Sequence, residues 1–189
     1  MIEVQIADVI LTDADKEEGK ENITQVHHII ILLDQAGQRI LPIWIGPFEA
    51  NSIAMQLLDN PTPRPMTYDF MANLLKSTGA VLEEIQISAL KEITYYATAF
   101  LRVGEMIHQI DARPSDAMAL ALRMKSKIFV ADEIMAKAGM AIPERFKDKL
   151  PRKGLEQMMA KMEEAKRETE AMMAKFREAK KEEKESNAP

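Results

Sequence analysis

The segment Asp111-Ala112-Arg113-Pro114-Ser115-Asp116 puts two carboxylates, a guanidinium and a hydroxyl into one short stretch. Pro114 suits the first position of a helix, so the stretch reads as a strand running into a helix N-terminus. The unpaired backbone N–H groups at such a corner attract an anion such as phosphate. Gly46-Pro47-Phe48-Glu49 has the same grammar, with Glu49 in the first turn, where the helix dipole favours an acid. If the two corners meet, Glu49 and Asp116 can share a divalent cation, Mg²⁺ or Mn²⁺. Arg113 would then hold phosphate, with Ser115 and the third acid, Asp111, close by. A plainer reading stands beside this one. Ser115, Asp116 and Glu49 can serve only to satisfy helix-end donors, and Arg113 can simply pair with Asp111 or Asp116.

Other candidates are weaker. His27 and His28 are adjacent on an expected strand, so they face opposite sides and cannot chelate one ion together. His108 shares a face with Met106 and Ile110 and reads as a packed, hydrogen-bonded histidine. No spacing typical of a familiar metal site occurs, and nothing calls for an organic cofactor. Arg64, between prolines, and the pair Tyr68-Asp69 can line a groove that binds substrate, although an arginine there serves equally well to cap a helix or as a solvated charge. Trp44 reads as core or subunit interface, because strand 39–45 is apolar on both faces.

These residues must be held by strands and helices. Alternation over 2–11 predicts a first strand, and the charged stretch 12–25 a loop. Residues 26–33 (VHHIIILL) are apolar on both faces and read as a buried strand. A turn at 34–37 leads to a third strand at 39–45, in which Pro42 implies a sheet edge or a bulge. Helices are expected from Pro47, with Ile53, Ala54, Leu57 and Leu58 as its apolar stripe, and over 68–78, with Thr67 as N-cap and Gly79 at the end. Strands follow at 80–88, 92–103 and 106–111, the last two joined by the hairpin turn Gly104-Glu105. A helix from Pro114 to about Arg123, a short strand at 128–130 and a short helix from Asp132 to Ala138 complete the run.

A shift of 67 residues carries Pro47 onto Pro114, Glu49 onto Asp116 and Ala50 onto Ala117. It also carries strand 39–45 onto 106–112 and strand 26–33 onto 93–100. The expectation is therefore an α+β fold of duplicated βββαα repeats, in a mixed, barrel-like or rolled sheet with flanking helices. This domain spans 1–143. A hinge at 144–154, with Pro151 and Gly154, precedes a C-terminal helical tail, 155–189, ending in a frayed SNAP. In the tail Met158, Met162, Ala165, Thr169, Met172, Phe176 and Ala179 follow a coiled-coil rhythm with weak seam residues. Its methionines suit an adaptable contact with another protein, or an ordinary amphipathic helix.

Bulk composition narrows the function. The 189 residues are 47% hydrophobic and 29% charged, with no cysteine, which fits a globular protein of the reducing cytoplasm. Neither a signal peptide nor a membrane-length apolar run is apparent. Residues 1–150 carry 21 acids against 15 bases, whereas 151–189 carry 9 against 10. A protein gripping nucleic acid through its phosphates normally has a basic surplus. Contact with nucleic acid must here be weak or transient, or rest on a metal or a local basic pocket.

Two segments, RILPIWIGPFEANSIAMQL (39–57) and IDARPSDAMALALRMKSKIFVADEIMAKAGM (110–140), with PRPMTYDFMANLLKSTGA (63–80) between them, resemble the bifunctional nuclease domain family. The resemblance covers about residues 1–142. It implies a duplicated βββαα architecture and cleavage of both DNA and RNA. Such cleavage needs an activated water, charge stabilisation on phosphate and a route for the leaving oxygen. Glu49, Asp116 and Asp111 are the candidate acids for it, and Arg113, Ser115, Arg64 and Asp69 the candidate substrate contacts. The alternative is a non-catalytic, homo-oligomeric binding or regulatory module, which the acidic charge favours. A small-molecule enzyme using the anion site at 113–116 is a third class.

Overall fold

The computed structural model describes residues 1–13 and 26–142, together with four helical positions further on, Ala160, Glu164, Arg167 and Ala171. The chain divides into two units, Met1–Leu155 and Glu156–Pro189. The expected loop beyond residue 13, the hinge at 144–154 and most of the tail lie outside the described residues.

The first unit is an α+β fold. Its first part runs β1 (Ile2–Asp13), β2 (Val26–Asp34), β3 (Arg39–Ile45), α1 (Pro47–Leu57) and α2 (Thr67–Ser77). Its second runs β4 (Val81–Lys91), β5 (Thr94–Val103), β6 (Met106–Ala112), α3 (Pro114–Met124), β7 (Lys127–Val130), α4 (Asp132–Ala138) and β8 (Met140–Ala141). The strands form one mixed sheet in the order β6-β5-β4-β7-β1-β2-β3-β8. Every pairing is antiparallel except β4 with β7. The sheet is not closed: β6 and β8 are its edges, which corrects the expectation of a barrel.

Burial follows the side-chain alternation of the strands. Ile30 and Leu32 on β2, Leu41 and Ile43 on β3, and Ile85 and Ile87 on β4 are sealed with Ile53 of α1 and Met118 of α3. The opposite face of β2 is covered as well, where Ile31 packs with Ala7 and Ile40. Two-sided burial explains why VHHIIILL is continuously apolar. Pro42 pairs with Ile31 on one side, while β8 engages only Arg39 and Ile40 on the other. Among the described residues the outer side of β3 at Pro42 has no partner strand, so the proline sits at a local sheet edge, as its sequence implied.

The two strand triplets are alike in order but not in register. Ile30 pairs with Ile43, and a uniform shift of 67 would pair Ala97 with Ile110. Ala97 instead pairs with Ala112. The turn between β2 and β3 spans residues 35–38, whereas that between β5 and β6 is only Gly104-Glu105, with Gly104 at φ +61°. The shorter turn moves the strand match by two residues, so β2 aligns with β5 at a shift of 69. The second part also inserts β7 between its helices.

Two readings are corrected at the sheet margin. Trp44 is 61% exposed, which removes the core half of its reading, and His108, expected to be packed, stands on β6, where most of the strand is exposed. Both strands are apolar enough to be buried, but nothing among the described residues covers them there.

Candidate functional site

Each of the two corners is a β-strand turning through one extended residue into a helix. Gly46 precedes α1 and Arg113 precedes α3, and Pro47 and Pro114 take the first helical position. Neither helix has a side-chain cap at its N-terminus. The Asp116 carboxylate bonds other side chains instead of a helix-end N–H. α1 and α3 pack against each other, which brings the corners together.

Arg113 spans the gap. Its Nη2 donates to Glu49 Oε1 at 2.7 Å and to Asp116 Oδ1 at 2.9 Å, and its Nε donates to Asp116 Oδ2 at 2.7 Å. The contact with Asp116 is the two-pronged fork that fixes a guanidinium plane. The Tyr68 hydroxyl, from the first turn of α2, donates to Asp116 Oδ1 at 2.5 Å. Asp116 thus accepts on both oxygens, whereas Glu49 gives only Oε1 to Arg113. The Glu49 side chain is 15% exposed and that of Arg113 is 66% exposed, so the guanidinium is the face this cluster shows to solvent.

Glu49 is held close by its own corner. A Cβ added to Gly46 would lie 2.4 Å from Glu49 Oε2. The backbone at Gly46 (φ −72°, ψ 159°) would suit any residue, so a side chain there would act by displacing the Glu49 carboxylate.

The charges reinforce one another. Burial pushes the Asp116 carboxyl up, but hydrogen bonds from Arg113 and Tyr68 outweigh it and hold it below the ordinary range. Burial, then the hydrogen bond to Asp116, raises the Tyr68 phenol well above its usual value, so it remains a proton donor. Bonds to Asp116 and Glu49 make Arg113 still harder to deprotonate.

A second pair lies on the other side of the α2 start. Arg123 Nε donates to Asp69 Oδ1 at 2.5 Å, its Nη1 to the Ala119 carbonyl at 3.0 Å, and its Nη2 to Ser52 Oγ at 3.1 Å. The Arg123 guanidinium also sits 5.6 Å from the centre of the Tyr68 ring. Asp69 accepts the Met66 N–H at 2.9 Å and so caps α2, the task the sequence had given to Thr67. Burial raises the Asp69 carboxyl, and the Met66 N–H and Arg123 bring it below normal. Asp69 and Arg123 line a cavity of about 390 Å³ between the end of α1 and the start of α2.

Of the residues singled out by sequence, the structure gathers Glu49, Arg113 and Asp116, places buried Ser115 beside them in the chain, and sets Asp69 one pair away. Asp111 stands exposed on β6, opposite Thr98, and makes no ion pair with Arg113. Arg64 is exposed, and its carbonyl accepts the Thr62 hydroxyl. Tyr68 as a partner of Asp116, and Arg123 with Ser52, were not foreseen. The one available signal for Arg123 is its place as the basic residue in the last turn of a helix whose preceding positions, 117–122, are apolar.

As arranged, Glu49 and Asp116 enclose a guanidinium, and no group of three His, Asp or Glu side chains able to hold a metal occurs among the described residues. The two carboxylates fit a cation only once Arg113 turns outward.

An open mixed sheet carrying an arginine bridge between two helix N-termini defines the class of this protein. A family model described as the bifunctional nuclease domain matches residues 30–143, and the chain belongs to that family. It is 38% identical over 116 residues to a Mycobacterium tuberculosis protein described only as uncharacterized, covering 61% of this chain and 69% of that one. It is 26% identical over 120 residues to a rice (Oryza sativa subsp. indica) protein named bifunctional nuclease 1, covering 61% of this chain and 36% of the plant protein. No helix among the described residues is long and apolar enough to cross a membrane.

Proposed function

We infer that the Glu49–Arg113–Asp116 centre hydrolyses phosphodiester bonds of DNA and RNA with little sequence preference. The observation carrying this reading is the exposed Arg113, gripped by carboxylates from both corners beside two helix N-termini that no side chain caps. The plant relative's name supports the same chemistry.

In this reading Arg113 turns its exposed guanidinium to a backbone phosphate, and the N–H ends of α1 and α3 add to the attraction. Glu49, whose Oε2 is not engaged by Arg113, takes a proton from water as its oxygen attacks phosphorus. The P–O bond to the leaving oxygen breaks, and that oxygen is protonated from solvent. Asp116, bonded on both oxygens and held below its normal pKa, is the anchor that aims Arg113 and keeps Tyr68 in place. A divalent cation, when bound, would be held by Glu49 and Asp116 and would supply further activation of water. An acidic protein using one exposed arginine engages nucleic acid transiently and at low salt. The two corners as copies of one ancestral βββαα unit belong to this reading.

The test is cleavage of single-stranded DNA and RNA, with Mg²⁺, with Mn²⁺ and with chelator, by wild type beside Glu49→Gln and Asp116→Asn of unchanged melting temperature. Loss of at least a hundredfold in the variants is expected. Equal trace cleavage by all three proteins would defeat the catalytic reading.

Exposed apolar side chains favour a second reading, a homo-oligomeric binding module. Trp44, Phe48 and Phe70 are largely exposed, as is the β6 row with Met106 and Ile107. Contiguous exposed apolar surface marks interaction sites, and Met106, Ile107 and Ile110 lie exposed along the one edge strand β6. Light scattering of residues 1–143 tests it, and a monodisperse monomer would reject it.

A further inference from the structure

We propose that the cavity between the end of α1 and the start of α2 receives a nucleobase, seating the nucleotide next to the phosphate engaged by Arg113. This rests on the nucleic-acid reading above and gives that site its substrate-selecting half.

The cavity's chemistry argues for a flat, uncharged ring. At about 390 Å³ it falls within the range of small-molecule sites and is roomy enough for a base with part of its sugar. Met55 and Met66 contribute thioether side chains, which pack well against aromatic rings, and Pro61 and Pro65 contribute rigid apolar walls. Gln56 and Asn60, both with side-chain amides, line it as well. Each carries a donor and an acceptor, the pairing that a base edge presents in return.

The same walls reject a phosphate. Asp59 and Asp69 line the cavity, and so do Met55 and Gln56 from the last turn of α1, where the helix dipole is negative and no basic residue offsets it. Arg123 is the cation of the wall, but its side chain is only 7% exposed and every guanidinium nitrogen already donates, to Asp69, Ala119 or Ser52. The first turn of α2 borders both places: Tyr68 bonds Asp116 of the Arg113 centre, and its neighbour Asp69 lines the cavity.

The test is binding of adenosine, cytidine, uridine and thymidine to the full chain, by titration calorimetry and ligand-observed NMR. Inorganic phosphate and ribose 5-phosphate serve as competitors. At least one nucleoside should bind, the Gln56→Leu/Asn60→Leu variant should weaken it tenfold or more, and neither competitor should displace it. Both positions are exposed, and Gln56→Trp, which fills the cavity instead of stripping its edges, should abolish binding at an unchanged melting temperature. Arg113→Gln should leave nucleoside affinity within twofold. Absence of binding by all four nucleosides, undiminished binding by both cavity variants, or displacement by phosphate would overturn the proposal. Cleavage is measured on the same samples: a wild type that cleaves yet binds no nucleoside removes the pocket alone. One that binds nucleoside yet never cleaves removes the catalytic reading alone.

Discussion

Replacing Gly46 by alanine tests the role of Glu49 without touching an ionisable group. The added methyl would lie 2.4 Å from Glu49 Oε2, and ordinary contact begins near 3.4 Å, so the carboxylate must retreat by about 1 Å. A displacement of that size at a reacting group costs on the order of a hundredfold in rate. The fold itself is little affected. The backbone at Gly46 already suits alanine. Removing glycine's freedom from the unfolded chain stabilises by about 0.4–1 kcal/mol, and loss of a good N-cap costs about as much. The two nearly cancel, leaving a melting shift of a few degrees at most. Steady-state cleavage of a labelled single-stranded oligonucleotide, beside a thermal melt, reads both quantities. Full activity in a normally folded Gly46→Ala protein would refute the assignment of Glu49 as the water-activating group.

Tyr68→Phe removes a bond that helps keep the Asp116 carboxyl low, so the acid limb of the pH–rate profile should move toward neutrality, at a stability cost of about 1 kcal/mol. An unmoved acid limb would show that Asp116 does not govern it. Arg123→Met leaves the partly buried Asp69 carboxylate without its partner and should destabilise by about 2–3 kcal/mol in chemical denaturation, less than a fully buried pair because Asp69 keeps some solvent. A loss below about 0.5 kcal/mol, the scale of an ordinary surface change, would contradict that account. Asp34, Asp69 and Asp116 all sit below their ordinary pKa in the folded protein. Their contribution is present above the unfolded carboxyl value of about 3.9 and is lost as pH falls through the folded values. The melting temperature should therefore be nearly flat from pH 7 to about 5 and fall steeply below about 4; a decline beginning near pH 6 would point to histidine instead.

The centre was legible because its grammar is local. Proline at the first helical position and an acid in the first turn mark both corners, and matching spacing implied that they are equivalent places. Arg123 and Asp69 are 54 residues apart, and each looks ordinary alone, a basic last turn and an acidic first turn. Only the packing of α2 on α3 makes them partners. The turn at Glu92-Ile93 escaped for a different reason: Glu92 adopts φ +55° without being glycine, so the expected strand ended early. Trp44 and His108 show the limit of apolar patterning. It says that a face can be covered, not that a cover exists.

β7 contributes one short strand, yet it is the sole link in the sheet between the two antiparallel triplets, facing Glu84–Ile87 on one side and Ile2–Val4 on the other. Each triplet closes between near neighbours along the chain, while Ile2 must find Val130 across almost the whole domain. Contact order therefore predicts that the triplets zip first and are stitched together last. Glu49 and Arg113 belong to the parts on either side of that seam, so on this expectation their bridge forms with the final stitching. In mild denaturant, catalysis should fade while circular dichroism still reports intact strands, making the bridge a gauge of the finished fold.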